Sequence, residues 1–131
     1  MQKRTIAFLA AAFLAAFLAA CAGVGVYYHR KPRVIKSYKE LRGHIERRGT
    51  TLVFYHAAWC PVCPEAKVRF ESKVANIRWK NPKVDIVEID VMLLNRDQLK
   101  SLAIETVPRI MSYTDDKEGE LVDIDALPNM Q

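Results

Sequence analysis

The chain lacks the length for more than one domain of ordinary size. It has 131 residues, and setting aside residues 1–33 leaves about 98, enough to bury one modest core. It also lacks the ligands for a closed zinc site. Tetrahedral structural zinc takes four protein ligands. Of three cysteines, Cys60 and Cys63 supply two, while the third, Cys21, lies in an apolar N-terminal block. His56 could add one ligand, and two soft thiolates suit Cu(I), so dithiol handling of copper or zinc stands only as a minor alternative and no metal site is expected. The net charge is +5, but no basic stripe is interleaved with stacking aromatics, which argues against nucleic-acid binding. The basic residues crowd between Arg30 and Arg48 and the acidic ones between Asp115 and Asp125. Solvated faces are the ordinary reading of such runs, and a basic stretch beside an anchor also suits a membrane surface.

Charge is absent altogether from Thr5 to Tyr28, where Phe-Leu-Ala-Ala repeats three times behind Lys3-Arg4. Such a stretch reads as a targeting or anchoring segment rather than a core helix. Within it Leu18-Ala19-Ala20-Cys21 looks like a bacterial lipobox, which would make Cys21 a lipidation site and the first residue of the mature chain. The rival reading is an uncleaved membrane span, since the apolar run passes Cys21 and reaches Tyr28. The cluster Arg30, Lys31, Arg33 and Lys36 outweighs Lys3 and Arg4, and by the positive-inside rule favours the opposite topology. The expected organisation is a signal or anchor over 1–28, a basic juxtamembrane linker over 29–36, a folded domain over 37–125 and a short tail over 126–131. Export suits a tethered dithiol module, so the domain is expected to be membrane-anchored and extracytoplasmic, in a bacterial periplasm or at the cell surface.

The most informative stretch is Trp59-Cys60-Pro61-Val62-Cys63. Before it, Thr51-Leu52-Val53-Phe54-Tyr55 has the β-branched and aromatic make-up of a buried strand. After it, Val62, Ala66, Phe70, Val74 and Ile77 recur at helical spacing. A strand thus delivers Cys60 to a helix N-terminus, where free N–H groups and the helix dipole favour the thiolate, the nucleophile of disulfide exchange. Pro61 and Pro64 both fit a first helical turn.

Further elements follow in order. Ser37 and Glu40 have capping-box spacing ahead of a helix of about eleven residues that closes at Arg47-Arg48-Gly49. The active-site helix extends to about Trp79 and stops at Asn81-Pro82. Val84 to Val91 reads as a strand apolar on both faces, Asn95 to Ala103 as a helix capped by Asn95 and Gln98, and Arg109–Thr114 with Glu120–Asp125 as a hairpin.

From Val34 to Asp125 this order, with the C-x-x-C at the start of a helix, resembles the thioredoxin superfamily. The resemblance implies an α/β fold, a thioredoxin-like three-layer sandwich with a mixed sheet, here lacking the final C-terminal helix because Ala126–Gln131 is too short for it. It also implies a membrane-tethered thiol–disulfide oxidoreductase, direction open and reductant slightly favoured. Cys60 would be the nucleophile and Cys63 the resolving residue, the two forming a Cys60–Cys63 disulfide, with no bound cofactor. Trp59, Pro61 and Val62 would face substrate. Val107-Pro108 would be cis, with Val107 pairing through its main chain with the substrate and Pro108 shaping the groove. Protein thiols and disulfides and a redox partner that resets the pair are the implied partners. A fold-preserving binding module that does not use the dithiol is the alternative from another class.

Three departures stand out. The buried Asp that thioredoxins place six residues before the first cysteine is Phe54 here, and the accompanying lysine is replaced by Glu88, so the proton of Cys63 falls to water, to Glu88 or to another group. The Pro61-Val62 dipeptide matches neither reducing nor strongly oxidising relatives, and Val62 offers no charge or donor. His56 either assists the thiolate electrostatically or sits as a part-buried, hydrogen-bonded strand histidine. Thirdly, without a last helix one sheet face near Leu121 and Ile124 is expected to be partly uncovered and open to a partner, a second copy or the membrane.

Overall fold

The computed structural model describes residues 2–116 and 118–126. The chain divides into two compact units, 1–30 and 31–131. The first is a single helix, α1 (Gln2–His29), whose residues 5–21 are exposed and whose Cys21 is a free, exposed cysteine. Among the described residues no helix is long and apolar enough to cross a membrane.

The second unit contains β1 (Arg33–Ile35), α2 (Tyr38–Ile45), β2 (Thr50–His56), α3 (Cys63–Lys80), β3 (Asp85–Asp90), α4 (Arg96–Ser101), β4 (Arg109–Thr114) and β5 (Glu120–Val122). The sheet order is β1-β3-β2-β4-β5, with β1, β3 and β2 parallel and β4 and β5 antiparallel to their neighbours. β2 lies at the centre, so its residues from Thr51 to Tyr55 are buried on both faces. On one face Val53, Tyr55, Val87 and Ile89 pack with Ile35, with Leu41 and Ile45 of α2, and with Leu94, Leu102 and Ile104 around α4. On the other face Leu52, Phe54, Ile86 and Ile110 pack with Phe70, Val74 and Ile77 of α3. These two cores make the expected three-layer sandwich with a mixed sheet.

Several local expectations hold and some shift. Ser37 caps α2 by accepting the Glu40 N–H, but the Glu40 carboxylate takes the Lys36 N–H rather than that of Ser37, so the box is half closed. Asn95 and Gln98 form the full reciprocal box. α2 is shorter than expected because Glu46 caps it. Beyond it Gly49, at φ 97°, exchanges hydrogen bonds with Asp115, which ties the start of β2 to the turn of the β4–β5 hairpin. Strand β1 falls within the stretch read as a linker. Three residues are too few to show a period, and only Ile35 of them is buried.

The last strand ends at Val122, short of the expected Asp125, and a 3-10 turn over Ile124–Ala126 follows. That turn is fastened to α3, with Lys73 Nζ donating to the Ile124 carbonyl at 2.6 Å and Arg69 paired with Asp125. Leu121 is exposed, and a groove of about 410 Å³ opens between Phe54, Ala66, Pro108, Ile110, Leu121 and Ile124. The expected absence of a further helix concerns residues 127–131, which lie outside the described residues.

Inside the first core the hydroxyls of Tyr55 and Tyr113 share a hydrogen bond of 2.7 Å. Burial pushes both phenols above their ordinary value, Tyr55 well above it. The unfolded chain would therefore lose these protons first as pH rises through about 10, so their contribution is complete below that pH and is lost above it. Tyr55→Phe strands the Tyr113 hydroxyl and is expected to cost about 1–3 kcal/mol. Replacing both with Phe should cost less than the two single losses together and flatten the fall in stability between about pH 9 and 11. Urea midpoints measured across that range check both statements, and simple additivity of the two losses would contradict the first.

Candidate redox-active site

β2 hands the chain to the site through a tight turn in which the Cys60 N–H donates to the Ala57 carbonyl at 3.1 Å. Val62 is the N-cap of α3, without a side-chain cap bond, and Cys63 is the first helical residue. Pro64 occupies the first turn, where a missing N–H costs nothing. Pro61 precedes the cap and so is a turn residue rather than a helical one, a shift from the sequence reading. Val62 likewise turns outward instead of continuing the apolar stripe of α3.

Cys60 and Cys63 are joined as a disulfide, with Cα atoms 5.4 Å apart. Each is only 4% exposed, whereas the flanking Trp59 and Val62 are 65% and 55% exposed. The sulfurs are thus sheltered while apolar side chains beside them face solvent. The bond to Cys63 also keeps the Cys60 sulfur beside the start of α3, where unpaired N–H groups and the positive helix end favour a thiolate after reduction. Val107-Pro108 is cis, as the resemblance implied. It comes close to the disulfide, since the Val107 carbonyl oxygen is 3.8 Å from Cys60 Sγ.

Two residues that the sequence reading did not single out contact candidate residues that it did. Trp59 Nε1 donates to Met92 Sδ at 3.1 Å, and Met92, like Leu93, is exposed. Met92 is fixed by its own N–H, which donates to Asp90 Oδ1 at the end of β3. Nothing in the sequence pointed to Met92, because its partner is more than thirty positions away. Lys67 is the other, with Nζ 3.3 Å from Glu88 Oε1. Its signal was available, since Lys67 stands four residues after Cys63 and hence on the same side of α3.

Glu88 is buried at the middle of β3, and Oε2 has no hydrogen-bond partner among the described residues. His56, at the end of β2, stacks on Phe54 with ring centroids 5.6 Å apart, and its Nε2 is also buried with no hydrogen-bond partner among the described residues. The hydrogen-bonded strand histidine expected from sequence is therefore replaced by one held through ring stacking, with Nε2 left open. Among the described residues no group of three or more His, Cys, Asp and Glu side chains is placed to hold a metal ion.

The fold and the disulfide at the head of α3 define a thioredoxin-like architecture. It is similar to oxidised thioredoxin from Plasmodium falciparum (TM-score 0.60, 17% identity, 74% of this chain and 91% of that chain). It is also similar to the thioredoxin Mala s 13 of Malassezia sympodialis (0.60, 20%, 70% and 77%) and to thioredoxin from Trypanosoma brucei brucei (0.58, 17%, 72% and 80%). A scan against protein-family models and a search of curated proteins both found no match. At these identities the likeness establishes the fold.

Proposed function

We propose that this chain is a thiol–disulfide oxidoreductase acting on protein substrates. The observation that carries this reading is the sheltered Cys60–Cys63 disulfide at the start of α3, set against the cis peptide Val107-Pro108. In the reducing direction the Cys60 thiolate attacks a substrate disulfide and forms a mixed disulfide. Cys63 then attacks Cys60, releases the reduced substrate and leaves the internal disulfide for a partner to reset. No cofactor is required, because the two electrons reside in the sulfurs. The exposed Trp59 and Val62 form the substrate-facing surface with Pro61, while Val107 offers its main chain and Pro108 shapes the groove. The uncharged N-terminal segment tethers the domain to a membrane on its extracytoplasmic side, with Cys21 as the lipidated residue. The lipobox-like Leu18-Ala19-Ala20-Cys21 supports that arrangement.

The test is the reduction potential of the full chain, extracted from membranes and equilibrated with a dithiothreitol or glutathione series. One reversible two-electron transition is expected. A midpoint near about −270 mV would mark a reductant and one near about −120 mV an oxidant. A pair that never interconverts would overturn the assignment. The intact mass of the same sample reports the tether, since an unmodified chain beginning at Met1 excludes lipidation at Cys21.

A further inference from the structure

We propose that Met92 is a peroxide-sensitive modification site, and that its oxidation to the sulfoxide weakens substrate docking beside the disulfide; the second half of this rests on the reading of Cys60 and Cys63 as an exchanging pair. The site is built at the end of β3. Val91 and Leu94 are buried in the first core, so the 3-10 turn Val91–Leu93 is held from inside and turns Met92 and Leu93 outward. The turn is pinned twice, by the Met92 N–H on Asp90 Oδ1 at 2.8 Å and by the Leu94 N–H on the Val91 carbonyl at 3.0 Å. Met92 thus presents its thioether from a fixed base, 63% exposed. Met111, the other methionine among the described residues, lies within β4 and is 4% exposed. Oxidation of sulfur follows its exposure, so a peroxide in solution reaches Met92 first.

The partner of this sulfur sets it apart from an ordinary surface methionine. Met92 Sδ accepts the indole N–H of Trp59 at 3.1 Å, and Trp59 directly precedes Cys60. A thioether is a weak acceptor, so the ring is placed without being locked, and the unbranched, polarisable methionine side chain adapts with it. His56 at the end of β2 pairs with Asp90 at the end of β3, so the turns that carry Trp59 and Val62 on one strand and Met92 and Leu93 on the other leave the sheet side by side. All four side chains are exposed. Exposed apolar side chains brought together mark a binding surface, and one beside the disulfide takes apolar residues flanking a substrate cysteine. Oxygen transfer from hydrogen peroxide breaks the O–O bond, forms an S–O bond at Met92 and leaves the other oxygen as water. The sulfur loses two electrons and the peroxide gains them. The product is polar, and its oxygen accepts a hydrogen bond more strongly than the thioether did. That oxygen holds the Trp59 N–H and sets a solvated dipole in the middle of the apolar surface. The Cys60–Cys63 bond is untouched, so exchange chemistry survives while docking weakens, and a methionine sulfoxide reductase reverses the change.

The test uses the full chain in its disulfide form, titrated with hydrogen peroxide and mapped by peptide mass. Met92 is expected to gain one oxygen at peroxide concentrations that leave Met111 unchanged; Met111 oxidising as early overturns the assignment of the site. Reduction of two peptide disulfides, one with apolar and one with charged residues flanking its cysteines, is then followed with dithiothreitol as the electron source. On the apolar peptide the oxidised chain should show a KM raised by about 5- to 10-fold, part of the docking energy of one apolar side chain, with kcat and the reduction potential close to the untreated values. The charged peptide should be affected little. Met92→Leu, which keeps apolar volume and takes no oxygen, should make the KM on the apolar peptide indifferent to peroxide, which also separates Met92 from oxidation at Cys21. An oxidised Met92 with an unchanged KM, or a loss that persists in the peroxide-treated Met92→Leu chain, overturns the docking role. An untreated wild-type chain that reduces neither peptide overturns the exchange reading and the docking role with it, while the order of methionine oxidation still decides the modification site.

Discussion

Cys60→Ser is expected to reduce disulfide exchange to background, and Cys63→Ser to stop it at the mixed disulfide. The reason is chemical. Exchange proceeds through a thiolate, and a serine hydroxyl is neither ionised near neutral pH nor able to form the sulfur–sulfur bond. The two losses differ in kind because, in the proposed reaction, the cysteines meet the substrate in sequence. Cys60 lies beside the Val107 carbonyl and the exposed Trp59, the surface proposed to receive an incoming disulfide, whereas Cys63 is the first residue of α3. A Cys63→Ser chain should therefore accumulate covalent adducts, visible as a mass shift on non-reducing electrophoresis and removed by dithiothreitol. A Cys60→Ser chain should form none. Neither change should unfold the protein, since the disulfide spans a sequence separation of only three and so constrains little of the unfolded chain. Full activity in the Cys60→Ser, Cys63→Ser double variant would sink the enzyme reading and leave a binding module in its place.

Phe70→Ala is expected to be the most damaging single change to the fold, at about 3–5 kcal/mol out of a total stability of roughly 5–15. Phe70 is 0% exposed and its ring stacks on Phe54 at 5.2 Å and 14°, joining α3 to the centre of the sheet. Truncation removes that apolar burial and leaves a cavity between two rigid layers that cannot close over it. With a slope of about 1–3 kcal/mol per molar urea, the midpoint should fall by more than about 1 M. Val68→Ala, two residues away on the exposed side of the same helix, should move it little, by about 0.5 kcal/mol or less. Equal shifts in the two variants would mean that the layer between α3 and the sheet is not the packed core described.

Much of this was legible beforehand because the signals are local. The β-branched run before Cys60, the helical spacing after Cys63 and the Asn95–Gln98 box each depend on neighbours within a turn or a strand, and each element appears within a few residues of where the spacing predicts it. The cis bond at Val107-Pro108 came from resemblance alone; composition and spacing carry no sign of it. β1 escaped notice because a three-residue strand is defined by its pairing with β3, which no local pattern records. The end of β5 was overrun for a similar reason. Ile124 continues an alternating pattern, yet its carbonyl is taken by Lys73 from α3, and the chain turns there.

By itself, the sequence determined the order of elements, the uncharged N-terminal segment and the two cysteines at the head of a helix, since these depend on side-chain chemistry and short periodicities. Only the tertiary structure decided what surrounds the sulfurs. It brought Val107 against Cys60, Met92 against Trp59 and Lys67 against Glu88, and it left Glu88 Oε2 and His56 Nε2 buried without hydrogen-bond partners among the described residues. Those contacts join residues from different strands and helices, and the register of the sheet and the placement of α3 upon it are set by packing over the whole core.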